Sequence, residues 1–352
     1  MMFTESADTT EGDWAQYGCY EHVDYTGSDI NPSVFLSILS GDAENVKKLT
    51  GKENPKVLSA GPNDTVFTYF IDHGELSMIM VGSSVVLNYQ LLEAIETAHE
   101  KGLYGKWVWF MEACYSGSMF DSLPSNIGVY AMTSADDEHV AKMSECPPND
   151  YVAGESLGTC LAGLWDNVWL DYVEAHPDCT IGEVVDATMA DVKETSSQNV
   201  CEWGDKSFRD LKLSEFFGEM PAPALRRTKK EAEGIVSLDE VPLHLAKWAA
   251  IRSTSDKEEA LKAYQQEVVN EAKREVEVMR LGRILLNEKA VVAAMNTPSE
   301  SYSTSCVRDL SIQLMEKCGH SLPFSHSVSN LLRNICLPGI NAPNVNWNDV
   351  CL

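Results

Sequence analysis

Trp107-Val108-Trp109-Phe110-Met111-Glu112-Ala113-Cys114-Tyr115-Ser116-Gly117-Ser118 is the stretch on which the fold turns. Its first five residues are bulky and apolar, with no polar alternation. A strand of that kind belongs in a sheet covered on both faces. Val66-Phe67-Thr68-Tyr69-Phe70-Ile71 reads as a second buried strand, and Val129-Tyr130-Ala131-Met132 as a third. Between the second and the first, residues 87–101 place Leu91, Leu92, Ile95 and His99 on related turns, which predicts an amphipathic helix. Further upstream, Asn31 and Pro32 open a helix whose apolar side is Val34, Phe35, Ile38 and Leu39, and Gly41 closes it. Strands alternating with helices predict an α/β fold: a mostly parallel sheet with helices on both faces.

In sheets of this class, reactive groups gather just beyond the C-terminal strand ends. Two predicted strands run into Asp72-His73-Gly74 and Glu112-Ala113-Cys114. A cysteine protease needs a thiolate, a base beside it, and donors for the developing oxyanion. Cys114 and His73 supply the first two if their strands are neighbours. The backbone N–H groups of Gly74 and Cys114 are the candidate oxyanion donors. Small residues after Cys114 let a substrate backbone approach closely.

Charge divides the chain. The net charge is −26, yet residues 225–352 carry 16 basic and 16 acidic groups, leaving 11 basic and 37 acidic in the first 224. Such acidity disfavours nucleic acid and anionic membrane surfaces as partners, and no apolar run is long enough to span a bilayer. The split predicts two units, whose adhesion weakens as acid neutralises carboxylates. Residues 218–240 hold Pro221, Pro223, Arg226, Arg227, Lys229 and Lys230 and read as an exposed linker. From Asp256 to Ala294 helix formers dominate, with Leu261, Tyr264, Val268, Val269, Ala272, Val276 and Met279 in a stripe. Residues 303–352 read as shorter helices. Four of the ten cysteines lie there, Cys306, Cys318, Cys336 and Cys351, an even number that predicts two disulfides. No cysteine spacing suits a compact zinc site, and neither metal nor cofactor is expected. The start, Met1-Met2-Phe3-Thr4-Glu5-Ser6, lacks the basic and apolar regions of a signal peptide.

The order of these motifs resembles the legumain family of asparaginyl endopeptidases, peptidase family C13 in the clan of the caspases. The resemblance runs through Asp24-Tyr25-Thr26-Gly27, Gly41-Asp42-Ala43-Glu44, Ser59-Ala60-Gly61-Pro62, Tyr69-Phe70-Ile71-Asp72-His73-Gly74, Glu112-Ala113-Cys114-Tyr115-Ser116-Gly117-Ser118-Met119 and Trp203-Gly204-Asp205. It implies a caspase-like peptidase domain over 1–217, a linker or activation peptide over 218–256, and a helical, death-domain-like prodomain over 257–352. It implies cleavage after Asn, or after Asp in acid, with Cys114 as nucleophile and His73 as base. Glu112 would line the pocket for the substrate side chain. Asp72 would be the residue that relatives carry as a succinimide, linked to ligase activity. The implied disulfides are Cys306–Cys336 and Cys318–Cys351. Protein substrates and the chain's own prodomain are the implied partners, and a lysosome, vacuole or secretory route is the implied location.

Departures accompany the match. The family's segment before Asp-Tyr-Thr-Gly, source of a pocket Arg and of an Asn that orients the His, has no counterpart ahead of Met1-Met2-Phe3, which enters at the second family strand. The Glu-Ser-Ser-Tyr wall falls on His139-Val140-Ala141-Lys142, and Gly-Asp-Trp falls near Ala162-Gly163-Leu164-Trp165, so Asp166 would supply the acid only after a local shift. No Asn lies between Asn199 and Asn270, which removes self-cleavage after Asn in the linker. The competing expectations are an inactive pseudoprotease or binding protein of this family, or a truncated isoform.

Overall fold

The computed structural model describes residues 2–3, 23–82, 84–152, 155–156, 160–217, 236–237, 257–286, 288–297, 299, 301–318 and 326–352. The remainder of the predicted linker lies outside these residues. In chain order the strands are β1 (Met2–Phe3), β2 (Val23–Tyr25), β3 (Thr65–Ile71), β4 (Gly74–Glu75), β5 (Met78–Val81), β6 (Ser84–Leu87), β7 (Lys106–Glu112), β8 (Val129–Thr133), β9 (Lys142–Ser144), β10 (Tyr151–Val152), β11 (Glu155–Ser156), β12 (Ala162–Gly163), β13 (Cys201–Gly204) and β14 (Val236–Ser237). The helices are α1 (Pro32–Leu39), α2 (Ala43–Thr50), α3 (Asn88–Glu100), α4 (Leu164–Ala175), α5 (Ile181–Thr195), α6 (Ser214–Phe217), α7 (Lys257–Leu285), α8 (Glu288–Asn296), α9 (Thr304–Cys318) and α10 (His326–Ile335).

The central sheet runs in the order β13-β8-β7-β3. β3, β7 and β8 are parallel, and β13 closes one side antiparallel to β8. β7 lies inside this sheet, which is why its sequence is apolar from Trp107 to Met111. Trp107, Trp109 and Met111 enter a core with α1 and α3, while Val108 and Phe110 enter a second core with α4 and α5. The sheet is thus covered on both faces, a caspase-like arrangement. Phe110 meets Trp169 of α4 edge to face, with ring centroids 5.1 Å apart.

Local chemistry fixes the covering helices. Asn31 accepts the Val34 N–H at 3.0 Å with Pro32 at the first helical position. Gly41 takes a left-handed φ of 66°, and a Cβ there would lie 2.8 Å from the Leu58 carbonyl oxygen. Asp42 then caps α2, a helix the hydrophobic pattern does not signal because only Val46 of it is buried. Thr180 and Glu183 form a capping box on α5.

Among the described residues there are four small sheets besides the main one. β4-β5-β6 follows His73 directly, β1 pairs with β2, β10 pairs with β11, and β12-β9-β14 carries a strand from the predicted linker. The C-terminal helices form one core with the first of these. Leu76, Met78 and Met80 pack with Val278, Leu281, Val291, Val307, Leu310, Leu331 and Leu332. Disulfides join Cys306 to Cys336 and Cys318 to Cys351, the pairing the resemblance implies. The predicted stripe is not the buried face of α7: Leu261, Val268, Val269, Ala272 and Val276 are exposed and Tyr264 and Met279 half-buried, whereas the buried residues, Val278 and Leu281, lie off that stripe because it is their side of the helix that packs on the C-terminal core. No helix among the described residues is long and apolar enough to cross a membrane.

Phe110→Ala should destabilise the chain by about 3–5 kcal/mol, because it empties a fully buried aromatic site between β7 and α4. Urea unfolding checks this.

Candidate active site

β3 and β7 pair in register with Ile71 opposite Glu112, and the ladder continues when the Asp72 N–H donates to the Glu112 carbonyl at 3.2 Å. The segments that follow therefore leave the sheet together. Their closest approach is at Gly74: a Cβ there would lie 2.3 Å from the Cys114 carbonyl oxygen and 3.0 Å from the Ala113 Cβ. Only a residue without a side chain permits this contact. It seats the residue after His73 directly on the Cys114 backbone. Asp72 Oδ1 accepts the His73 N–H at 2.7 Å, which turns its carboxyl back onto its own following peptide.

The turn after Cys114 is strained and then braced. Tyr115 has φ 55°, a conformation uncommon for an aromatic residue, and opens a 3-10 turn over Ser116–Met119. Its N–H donates to the His139 carbonyl at 3.0 Å. Ser118 Oγ accepts the Ser77 N–H at 2.7 Å and donates to the Tyr115 carbonyl at 2.6 Å. Ser134 Oγ accepts the Ala113 N–H at 3.2 Å, and Ser116 Oγ accepts the Ala135 N–H at 3.1 Å. These hydroxyls fix the turn after Cys114 to the ends of β7 and β8. Motif spacing gives them no assigned task.

Cys114 is buried among Tyr115, Val140, Ala141, Met143 and the Cys146–Cys160 disulfide. Its Sγ lies 4.0 Å from the Ala141 carbonyl oxygen. The expected wall at His139-Val140-Ala141-Lys142 therefore borders the thiol, although His139 itself turns aside and pairs through Nδ1 with Asp136 at 2.7 Å. Sequence reading did not find the Cys146–Cys160 bridge, because two isolated cysteines carry no pairing signal.

Glu112, two residues before Cys114, is fully buried. Beside it stands Asp166 from the first turn of α4, whose Oδ1 accepts the Tyr69 hydroxyl at 2.8 Å. Burial, and then the neighbouring Asp166 carboxyl, push the Glu112 carboxyl well above the usual range. Burial likewise pushes Asp166 up to about 6, with the Tyr69 hydroxyl opposing. The two acids form a buried acidic floor at the start of α4.

The sequence profile of the peptidase C13 family matches residues 10–219, which span the sheet, both strand-end motifs and this floor. The chain belongs to the peptidase C13 family. Legumain of Bos taurus is 32% identical over 251 residues, covering 69% of this chain and 54% of that protein. The hemoglobinase of Schistosoma mansoni is 32% identical over 244 residues, 67% of this chain and 52% of its own. The vacuolar-processing enzyme delta-isozyme of Arabidopsis thaliana is 32% identical over 206 residues, 56% of this chain and 43% of its own. The chain spans about half the length of these relatives. The family match covers the peptidase-like sheet, while the helices from α7 onward lie beyond it.

The C-terminal helices meet this C13 sheet on both sides of the paired loops. Ser329 donates to the buried Glu75 carboxylate, two residues after His73. Arg333 lies 5.0 Å from the Tyr115 ring centre and 4.8 Å from that of Tyr302, and it donates to the Asp137 carbonyl at 2.6 Å.

A carboxyl whose pKa rises on folding holds a proton that the unfolded chain has already lost. Its cost to stability is absent below about pH 4, grows until about pH 6, and persists above. Asp166→Asn keeps an acceptor for Tyr69 and cannot ionise. It should stabilise the chain by on the order of 2 kcal/mol at pH 7 and by nothing near pH 4. Urea titrations at the two pH values check this.

Proposed function

We propose that this chain is a cysteine endopeptidase that cleaves after Asn, and after Asp in acid, with Cys114 as nucleophile and His73 as base. The observation that carries the reading is the contact of Gly74 with the Cys114 carbonyl, which brings the two strand-end motifs to one place. His73 takes the thiol proton while Cys114 Sγ attacks the peptide carbonyl carbon. The N–H groups of Gly74 and Cys114 receive the oxyanion. Collapse expels the amine, which takes its proton from His73, and leaves a thioester. Water then attacks the thioester and releases the acid and the thiol. An incoming peptide amine in place of water gives ligation. The Asp72 carboxyl, held against the His73 amide nitrogen, suits ring closure to the succinimide associated with that reaction.

Glu112 supports the Asn preference, since a buried carboxyl accepts from an amide NH₂. The helical unit from α7 onward acts as an intramolecular inhibitor, and its contacts at Glu75 and Tyr115 flank the paired loops. The carboxylates gathered where Arg333 packs on Tyr302 are Asp137, Glu138 and Glu75. Acid lowers the negative charge of the sheet-bearing unit as a whole, weakens its attraction for the guanidinium and favours release. Protein substrates and an acidic compartment, lysosomal or vacuolar, follow from this reading. The peptidase reading is preferred over a non-catalytic binding protein because Cys114, His73 and Gly74 are all present and braced.

The full chain, held at about pH 4–5 so that carboxylates protonate, should hydrolyse an Ala-Ala-Asn reporter peptide. Cys114→Ala should lower kcat about a thousandfold or more. A folded chain, freed of its C-terminal helices by protease, that hydrolyses neither Asn nor Asp peptides would overturn the proposal.

A further inference from the structure

Asn63-Asp64-Thr65 has the form Asn-x-Ser/Thr with a middle residue other than proline, and the peptidase reading makes no use of it. The chain has one other triplet of this spacing, Asn31-Pro32-Ser33. There proline fills the middle position, and Asn31 Oδ1 is taken up in capping α1. Asn63 has neither restriction.

Residues 61–64 turn just ahead of β3. The Asp64 N–H donates to the Gly61 carbonyl at 3.0 Å, and Asp64 Oδ2 accepts the Gly61 N–H at 2.7 Å. The Asp64 carbonyl accepts the N–H groups of Gly105 at 2.8 Å and Lys106 at 3.2 Å. Pro62 lies against Gly105, where a Cβ would come within 2.5 Å of the Pro62 carbonyl oxygen. The turn is thus fixed to the start of β7 by the backbone on either side of Asn63. Asn63 itself is exposed, and its side chain makes no hydrogen bond among the described residues. Pro62, Asp64 and Thr65 beside it are exposed as well, so a bulky group on the Asn63 amide has room.

A second observation concerns the route the chain takes. Its three disulfides, Cys146–Cys160, Cys306–Cys336 and Cys318–Cys351, belong to an oxidising compartment. Surface triplets of this form receive sugar on that same route. In the folded chain Thr65 Oγ1 donates to the Glu215 carbonyl at 3.1 Å, across 150 positions. Glu215 is made long after Thr65, so the hydroxyl is free while the triplet emerges.

We propose that Asn63 is an N-glycosylation site, modified during synthesis by an oligosaccharide carried on a polyprenyl diphosphate. Asn63 Nδ2 forms a bond to C1 of the first sugar and loses one proton. The C1–O bond to the diphosphate breaks, and the polyprenyl diphosphate leaves with the electron pair. The inference goes beyond the peptidase reading and does not depend on it. β3 runs from the turn toward His73, and its seven residues, at about 3.3 Å each, hold the glycan at the end of the sheet opposite His73 and Cys114.

The test expresses the full chain behind a cleavable secretory leader in a eukaryotic host and maps it by mass spectrometry. Transfer precedes folding, so the secreted and the retained chain both report it. Peptide-N-glycosidase in heavy-oxygen water should lower the mass of the chain and leave a heavy-oxygen aspartate where Asn63 stood. Asn63→Gln and Thr65→Ala should each abolish the loss of mass, and Thr65→Ser should keep it. Cys114→Ala should be modified like the parent, so a failure of the peptidase reading leaves this result standing. Unmodified Asn63 in both fractions of the parent would overturn the proposal, as would a loss of mass that persists in Asn63→Gln.

Discussion

The close approach of Gly74 to the Cys114 carbonyl is the constraint on which the site depends. Parallel pairing of β3 with β7 brings both strands to the same height, with Ile71 opposite Glu112. The chain must then turn away from the sheet twice within one small volume. A glycine on one side and a left-handed Tyr115 on the other make that possible. Each departs from what an ordinary side chain tolerates, and the surrounding hydroxyls of Ser116, Ser118 and Ser134 hold the result in place.

The second theme is charge buried where solvent is absent. Glu112 and Asp166 lie at the start of α4, Glu75 lies under the C-terminal helices, and Arg333 is almost wholly covered between two tyrosine rings. Buried charges are expensive unless partnered. Glu75 has Ser329, Arg333 has carbonyls and aromatic faces, and Asp166 has Tyr69. Burial, and for Glu112 the neighbouring Asp166 carboxyl, leave Glu112 and Asp166 reluctant to ionise.

Much of the fold was legible because β7 and β8 are short apolar runs, a pattern that suits a doubly covered sheet. β3, which reads as equally buried, is instead the edge strand of the sheet, with Tyr69 and Ile71 exposed, because apolar character does not report whether a further strand lies alongside. The strand-end motifs told where Cys114 and His73 would emerge. α2 was not legible, since one buried valine makes no stripe. The long α7 stripe pointed to the wrong face: Leu261 and Val268 face solvent, while Val278 and Leu281, off the stripe, enter the core. Periodicity shows which residues share a face, and only packing shows whether that face is covered.

The sequence by itself determined the α/β class, the family, the two strand ends that carry His73 and Cys114, and the pairing partners that a resemblance implies for the last four cysteines. Each is carried by local pattern or by residues near one another in the chain. Tertiary structure decided what arrives from far away. Tyr69 and Asp166 meet across 97 positions, Glu75 and Ser329 across 254, and Arg333 reaches the Asp137 carbonyl across 196. No local pattern encodes such meetings, because they depend on the register of strands and on the angle at which helices settle onto the sheet.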